Sequence, residues 1–89
     1  MLLAVRRLWE HGRVVFMDHF RRRSDERQIP HSWLPAVFET AAIVSGPTWN
    51  EEHGNWSVTL RGRNADGEDV TMGLGADLVD DVLYLVTLF

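Results

Sequence analysis

The chain has no cysteine and no lysine, one tyrosine, three prolines and no apolar run long enough to span a membrane as a helix. Each shortage excludes something. Without cysteine there is no disulfide framework and no thiolate metal site, and nothing requires an oxidising compartment, so the expected location is cytoplasmic, with no membrane association. Without lysine, every permanently charged basic side chain is a guanidinium, which suits bidentate contact with phosphate. The four histidines, His11, His19, His31 and His53, show no ligand spacing and the acids gather in turns, so no metal or other cofactor is expected. Gly73-Leu74-Gly75 lacks the rest of either phosphate-loop fingerprint. No Gly-x-Ser-x-Gly elbow surrounds Ser24, Ser32, Ser45 or Ser57. Residues 1–11 set their charges inside an apolar pattern and carry no small-residue cleavage site, so they read as a helix and not as a signal peptide.

What is present describes one globular domain over residues 1–89. Hydrophobic residues make up 45% and charged residues 25% of 89 positions, a composition that folds but builds only a small core. The net charge of −4 hides an asymmetry. Residues 1–27 hold seven arginines against four acids, and residues 28–89 hold Arg61 and Arg63 against nine acids. A basic patch on an acidic molecule can meet phosphate locally, but it attracts a polyanion weakly at long range.

Helical spacing places Leu2, Val5, Leu8 and Trp9 on one face of a first helix, with Arg6, Arg7 and Glu10 opposite and Gly12 as its stop. Arg13 to Met17 reads as a short strand. Asp18 is the expected N-cap of a second helix over roughly 18–28, which the Ile29-Pro30 step ends. A third helix is expected from Ser32 as N-cap, with a stripe of Leu34, Val37, Phe38, Ala41 and Val44, ended by Gly46-Pro47. From Thr48 the period becomes two. Trp56, Val58 and Leu60 alternate with polar residues, Asn64 to Gly67 forms a hairpin turn, and Val70, Met72 and Leu74 return. Gly75 to Asp81 reads as a turn, and Val82 to Phe89 as a central strand covered on both faces. Helices first and strands afterwards predict an α+β fold, with the helices on one face of a mainly antiparallel sheet of three to four strands.

One constellation carries chemistry. His19, Arg23 and Arg27 recur at a four-residue step, so a helix stacks them in one column beside the face that Phe20 and Met17 bury. Arg21 and Arg22 point outward with ion-pair partners at helical spacing, Asp25 for the first and Asp18 or Glu26 for the second. The column has no acidic partner within the helix. Histidine moves protons near neutrality and arginine stabilises charge building up on phosphate, a pairing suited to metal-independent RNA cleavage through the 2′-hydroxyl. The opposing reading lays Arg23 and Arg27 over the sheet, bonded to carbonyls or to acids such as Asp77. Thr87 places a hydroxyl in an apolar strand, on the face expected to carry Leu83, Leu85 and Phe89. It is either aimed at a phosphate beside the column or satisfied locally. Trp33, Trp49 and Trp56 either stack bases or pack the core and rim.

These pieces together resemble a family. Val5-Arg-Arg-Leu8, Gly12-Arg-Val-Val-Phe16, the His19-x3-Arg23-x3-Arg27-x-Ile29 helix, Trp56 to Gly62, Asp66-Gly67 and Leu85 to Phe89 are similar to an uncharacterised branch of the MqsR/RelE-like bacterial toxins. The resemblance implies a compact RelE/MqsR-like fold and an endoribonuclease toxin without a cofactor, neutralised by a cognate antitoxin protein. It implies His19, Arg23, Arg27 and Thr87 as the catalytic set. Arg22, Arg61 and Arg63 are the residues expected to contact RNA, and a homodimer is the remaining expected assembly. A non-catalytic protein-binding module with the same fold is the alternative.

Overall fold

The computed structural model describes all residues from Met1 to Phe89. The chain runs α1 (Leu2–His11), β1 (Arg13–Phe16), α2 (Asp18–Glu26), a 3₁₀ turn (His31–Trp33) and α3 (Leu34–Glu39). It continues through β2 (Ala42–Asn50), β3 (Asn55–Arg63), β4 (Asp69–Asp77) and β5 (Val82–Leu88). The strands form one sheet in the order β1-β5-β4-β3-β2, antiparallel except for the β1–β5 pair. The fold is therefore α+β with its helices on one side of the sheet, as the order of elements predicts, but the sheet has five strands and not three or four.

The additional strand is β2, and it replaces the second half of the expected third helix. Helix α3 stops at Glu39, where Thr40 turns its hydroxyl back on the Ala36 carbonyl at 2.9 Å and also accepts the Arg63 N–H at 2.7 Å. Ala42 to Val44 then pair with β3 instead of continuing the stripe. The β-branched Ile43-Val44 pair favours this extended course, and the edge strand tolerates Pro47 because it sits in the break of register between the Ser45–Thr59 and Thr48–Ser57 pairs. The remaining departures are local. Met17, not Asp18, holds the N-cap position of α2 and is 40% exposed, not buried; Ser32 makes no capping bond before α3; and strand β4 runs to Asp77, so the acidic turn spans only 78–81.

The core lies between the helices and one sheet face. Val5 and Leu8 of α1, Phe20 of α2 and Leu34, Val37 and Phe38 of α3 meet Leu60, Met72, Leu74, Leu83, Leu85 and Leu88. Trp9 of α1 stacks on Phe38 with ring centroids 4.4 Å apart. Helices α1 and α3 are also tied through Arg6, whose guanidinium donates to the carbonyls of Phe38, Glu39 and Ala41 at 3.0, 2.9 and 3.3 Å. These carbonyls lie at the end of α3, where helix geometry leaves them without intrahelical partners. The other face of the sheet carries no helix, so β5 is covered on one face and not on both: Tyr84 is half-buried and Val86 is 42% exposed. No helix is long and apolar enough to cross a membrane.

Gly62 sets the closest approach of helix to sheet. A Cβ there would collide with the Val37 carbonyl oxygen, a backbone atom that cannot rotate away. Gly62→Ala should therefore lower stability by at least about 1–3 kcal/mol, the usual cost of overpacking a core. Urea unfolding should report this as a shift in midpoint, and an unchanged midpoint would refute the contact.

Candidate functional site

Helix α2 packs on β5 because Phe20 and Ser24 are buried toward the sheet. Ser24 donates its hydroxyl to the Ile29 carbonyl and accepts the Ile29 N–H at its own carbonyl, which closes the end of the helix into Pro30. The His19–Arg23–Arg27 column is only partly helical: α2 ends at Glu26 and not near residue 28, so His19 and Arg23 lie on the helix and Arg27 is the C-cap just beyond it. Its members differ in environment. His19 and Arg27 are exposed and Arg23 is half-buried.

The two kinds of arginine on α2 are distributed differently from the sequence expectation. Arg23 is not free of acids: its Nη1 lies 3.7 Å from the Glu26 carboxylate, while its Nε donates to the Leu88 carbonyl at 3.1 Å. That carbonyl bond is the kind of contact the opposing reading anticipates, although the partner is Leu88 and not Asp77. Arg22 forms neither of its expected ion pairs, nor does Arg21 pair with Asp25. Arg22 Nη2 instead lies 3.3 Å from His19 Nδ1. A guanidinium only donates, so Nδ1 is the acceptor and the proton of the neutral ring resides on Nε2, the outward nitrogen. The helix alone did not distinguish these outcomes, because three- and four-residue partners compete for each guanidinium.

Thr87 does not share a face with Leu83 and Leu85. Strand β5 carries an irregularity between the Leu74–Leu85 and Gly73–Thr87 pairs, which inserts Val86 and reverses the alternation. Leu88 returns to the core, and Thr87 faces the helix-free side, where a Cβ on Gly73 would touch its methyl at 2.9 Å. Its hydroxyl still lies 3.4 Å from the Leu88 carbonyl that Arg23 holds, so Arg23 and Thr87 approach one peptide from opposite faces of the sheet. Leu60 and Gly62 face the helices, so Arg61 and Arg63 alternate to the helix-free side and share no face with α2. They remain at the same end of the sheet. Arg61 pairs with Thr71, whose carbonyl accepts the Phe89 N–H at 2.9 Å. Among the tryptophans, Trp33 and Trp56 pack against the core and Trp49 is 48% exposed, edge-on to Trp56.

No cluster of histidines and acids is placed to hold a metal ion. The helix-free face, however, carries a groove of about 490 Å³ absent from the sequence reading. Hydroxyls of Ser57 and Thr59, the bare backbone of Gly73 and Gly75, and the Tyr84 ring line it. Two signals in the sequence point to it: the polar alternation of β3, and a Gly-x-Gly pair in β4 that leaves adjacent same-face positions without side chains.

Two substitutions separate structure from surface on α2. Arg23→Ala should cost about 0.5–1.5 kcal/mol through loss of the Leu88 bond, whereas His19→Ala should stay within about 0.5 kcal/mol of the parent. Urea midpoints measure both, and equal effects would show that Arg23 does not anchor β5. Comparison with protein-family models, with curated proteins and with solved structures finds no match, so the site stands on its own geometry.

Proposed function

We propose that this protein is a toxin-like, metal-independent endoribonuclease of a bacterial toxin–antitoxin system, RelE/MqsR-like in fold, with the exposed edge of α2 as its catalytic surface. The observation that carries this reading is the His19–Arg22 contact at 3.3 Å. It sets a proton-transfer group beside a guanidinium with no carboxylate within ion-pair distance, one residue before the anchored Arg23. In the reaction, the ribose 2′-oxygen attacks the adjacent phosphorus and loses its proton to water. The bond to the 5′-oxygen breaks, and His19, entering this step as the imidazolium with Arg22 turned from Nδ1 to the phosphate, gives that oxygen its Nε2 proton, later replaced from solvent. The products are a 2′,3′-cyclic phosphate and a 5′-hydroxyl. Arg22 and Arg27 hold phosphate oxygens and stabilise their growing charge, Arg23 holds the end of β5 against the helix, and Thr87 orients the Leu88 carbonyl from the other face. Arg61 and Arg63 guide the RNA around the same end of the sheet. An antitoxin protein covers the basic edge.

A second reading is supported by Arg23 itself. Its bonds to Leu88 and Glu26 are those of a structural arginine, and a non-catalytic protein-binding module would use it in the same way. Incubation of the purified protein with RNA in EDTA decides between them. Cleavage to cyclic-phosphate ends is expected, reduced about 10²- to 10⁴-fold in His19→Ala, the span typical of a lost general acid. No cleavage, or equal cleavage by both proteins, would refute the enzymatic reading and leave the binding module.

A further inference from the structure

The helix-free groove lies on the opposite face of the sheet from the edge of α2, and its lining selects a ligand by chemistry. It contains no arginine and no carboxylate, and His53 is its one histidine, so it lacks the charge for a phosphate and the ligand set for a metal ion. Its floor is formed by β3, β4 and β5, already paired on both sides, and the edge strand β2 only rims it, so a strand added to that edge would lie beside the groove and not in it. A wholly apolar ligand would strip water from the Ser57 and Thr59 hydroxyls without replacing it. The volume of about 490 Å³ suits a small organic molecule, for which pockets of about 300–1,000 Å³ are usual.

Asn55 narrows the choice. It opens β3, is only 8% exposed, and lines the groove. Its amide lies over Gly75, where a Cβ would come within 2.9 Å of Nδ2, so the glycine makes room for it. None of the side-chain hydrogen bonds in the chain uses this amide. Its amide atoms still reach solvent, unlike Asn64 Nδ2, the one buried side-chain polar atom without a partner, so the Asn55 amide is open to a ligand. Here it presents an adjacent donor and acceptor to the groove, with the Tyr84 ring on the neighbouring strand. The complementary ligand is flat, uncharged, apolar on its faces and polar along one edge, with a donor beside an acceptor. A nucleobase has this form, and an asparagine amide pairs with such an edge in two hydrogen bonds.

We propose that the helix-free face binds a nucleobase, whose edge pairs with the Asn55 amide and whose ring lies over the Gly73–Gly75 backbone beside Tyr84. The base comes either from a free nucleoside or from single-stranded RNA, and the site does not depend on cleavage at α2.

Titration of the full-length protein with adenosine, followed by backbone amide NMR, tests the proposal. Saturable shifts at Asn55, Ser57, Gly73 and Gly75 are expected. N6,N6-dimethyladenosine, which lacks the exocyclic donor, should bind about tenfold more weakly, as should adenosine to Asn55→Asp. The analogue comparison uses the unsubstituted chain, so it holds even if the variant does not fold. An oligoadenylate titrated into His19→Ala identifies the source: tighter binding than adenosine indicates an RNA base, and equal or weaker binding a free nucleoside, and both support the site. Absence of saturable shifts, shifts confined to other surfaces, or equal affinity for the dimethyl analogue would overturn it. Base binding without RNA cleavage would leave this site standing while refuting the ribonuclease.

Discussion

The parallel pairing of β1 with β5 is the constraint on which the rest of the structure depends. It joins residues nearly seventy positions apart, in the register Arg13–Val82 to Phe16–Leu85. Backbone bonds bracket it, from Arg13 N–H to the Asp81 carbonyl and from Met17 N–H to the Leu85 carbonyl, both at 3.0 Å. The strand is only four residues long, yet α1 enters it and α2 leaves it. Fixing it against β5 therefore places both helices on the same face of the sheet. The entropy of closing so long a loop is offset when Val5, Leu8 and Phe20 are buried over β5 and its neighbours. Without this pairing the basic N-terminal segment would have no defined position relative to the acidic meander.

The structural arginines work through carbonyls more than through acids. Arg6 gathers three carbonyls at the end of α3, and Arg23 holds the Leu88 carbonyl at the end of β5. A half-buried guanidinium at a chain terminus or helix end satisfies acceptors that regular structure leaves open. The ion pairs are exposed and long, at 3.7–3.8 Å, and such pairs contribute little to stability. Arg21, Arg22 and Arg27 remain without carboxylates, and Arg22 turns to His19. The free positive charge of α2 is thereby carried by exposed guanidinia on either side of the anchored Arg23.

The two faces of the sheet divide the molecule chemically. One is filled by helices and apolar side chains. The other is lined by hydroxyls, glycines and an amide, with Arg61 and Arg63 toward one end. The irregularity in β5 sets where this division falls, because it moves Thr87 to the open face and returns Leu88 to the core. One inserted residue thus separates the hydroxyl from the helix it was expected to serve, while the shared Leu88 carbonyl keeps the two near each other.

Periodicity made α1 and strands β3 and β4 legible, because each buries one face and its apolar spacing records that face; β5 was legible as a strand but not for which face is open, and on α2 Phe20 was placed rightly and Met17 was not. The hairpin at Asn64 to Gly67 was legible from turn chemistry: Asn64 accepts the Asp66 and Glu68 N–H groups, and Gly67 adopts a positive φ. Strand β2 was not legible, since an exposed edge strand buries almost nothing and its apolar residues also fit a helical stripe. In the candidate site, the sequence by itself determined that His19 and Arg23 line one side of a helix, because that follows from helical pitch alone; Arg27 falls at the C-cap instead. Only the tertiary structure decided which arginine is anchored, which one reaches His19, which face Thr87 takes and that Asn55 opens onto a groove. Those outcomes depend on a distant carbonyl, a bulge and a glycine on the neighbouring strand, contacts that no local spacing encodes.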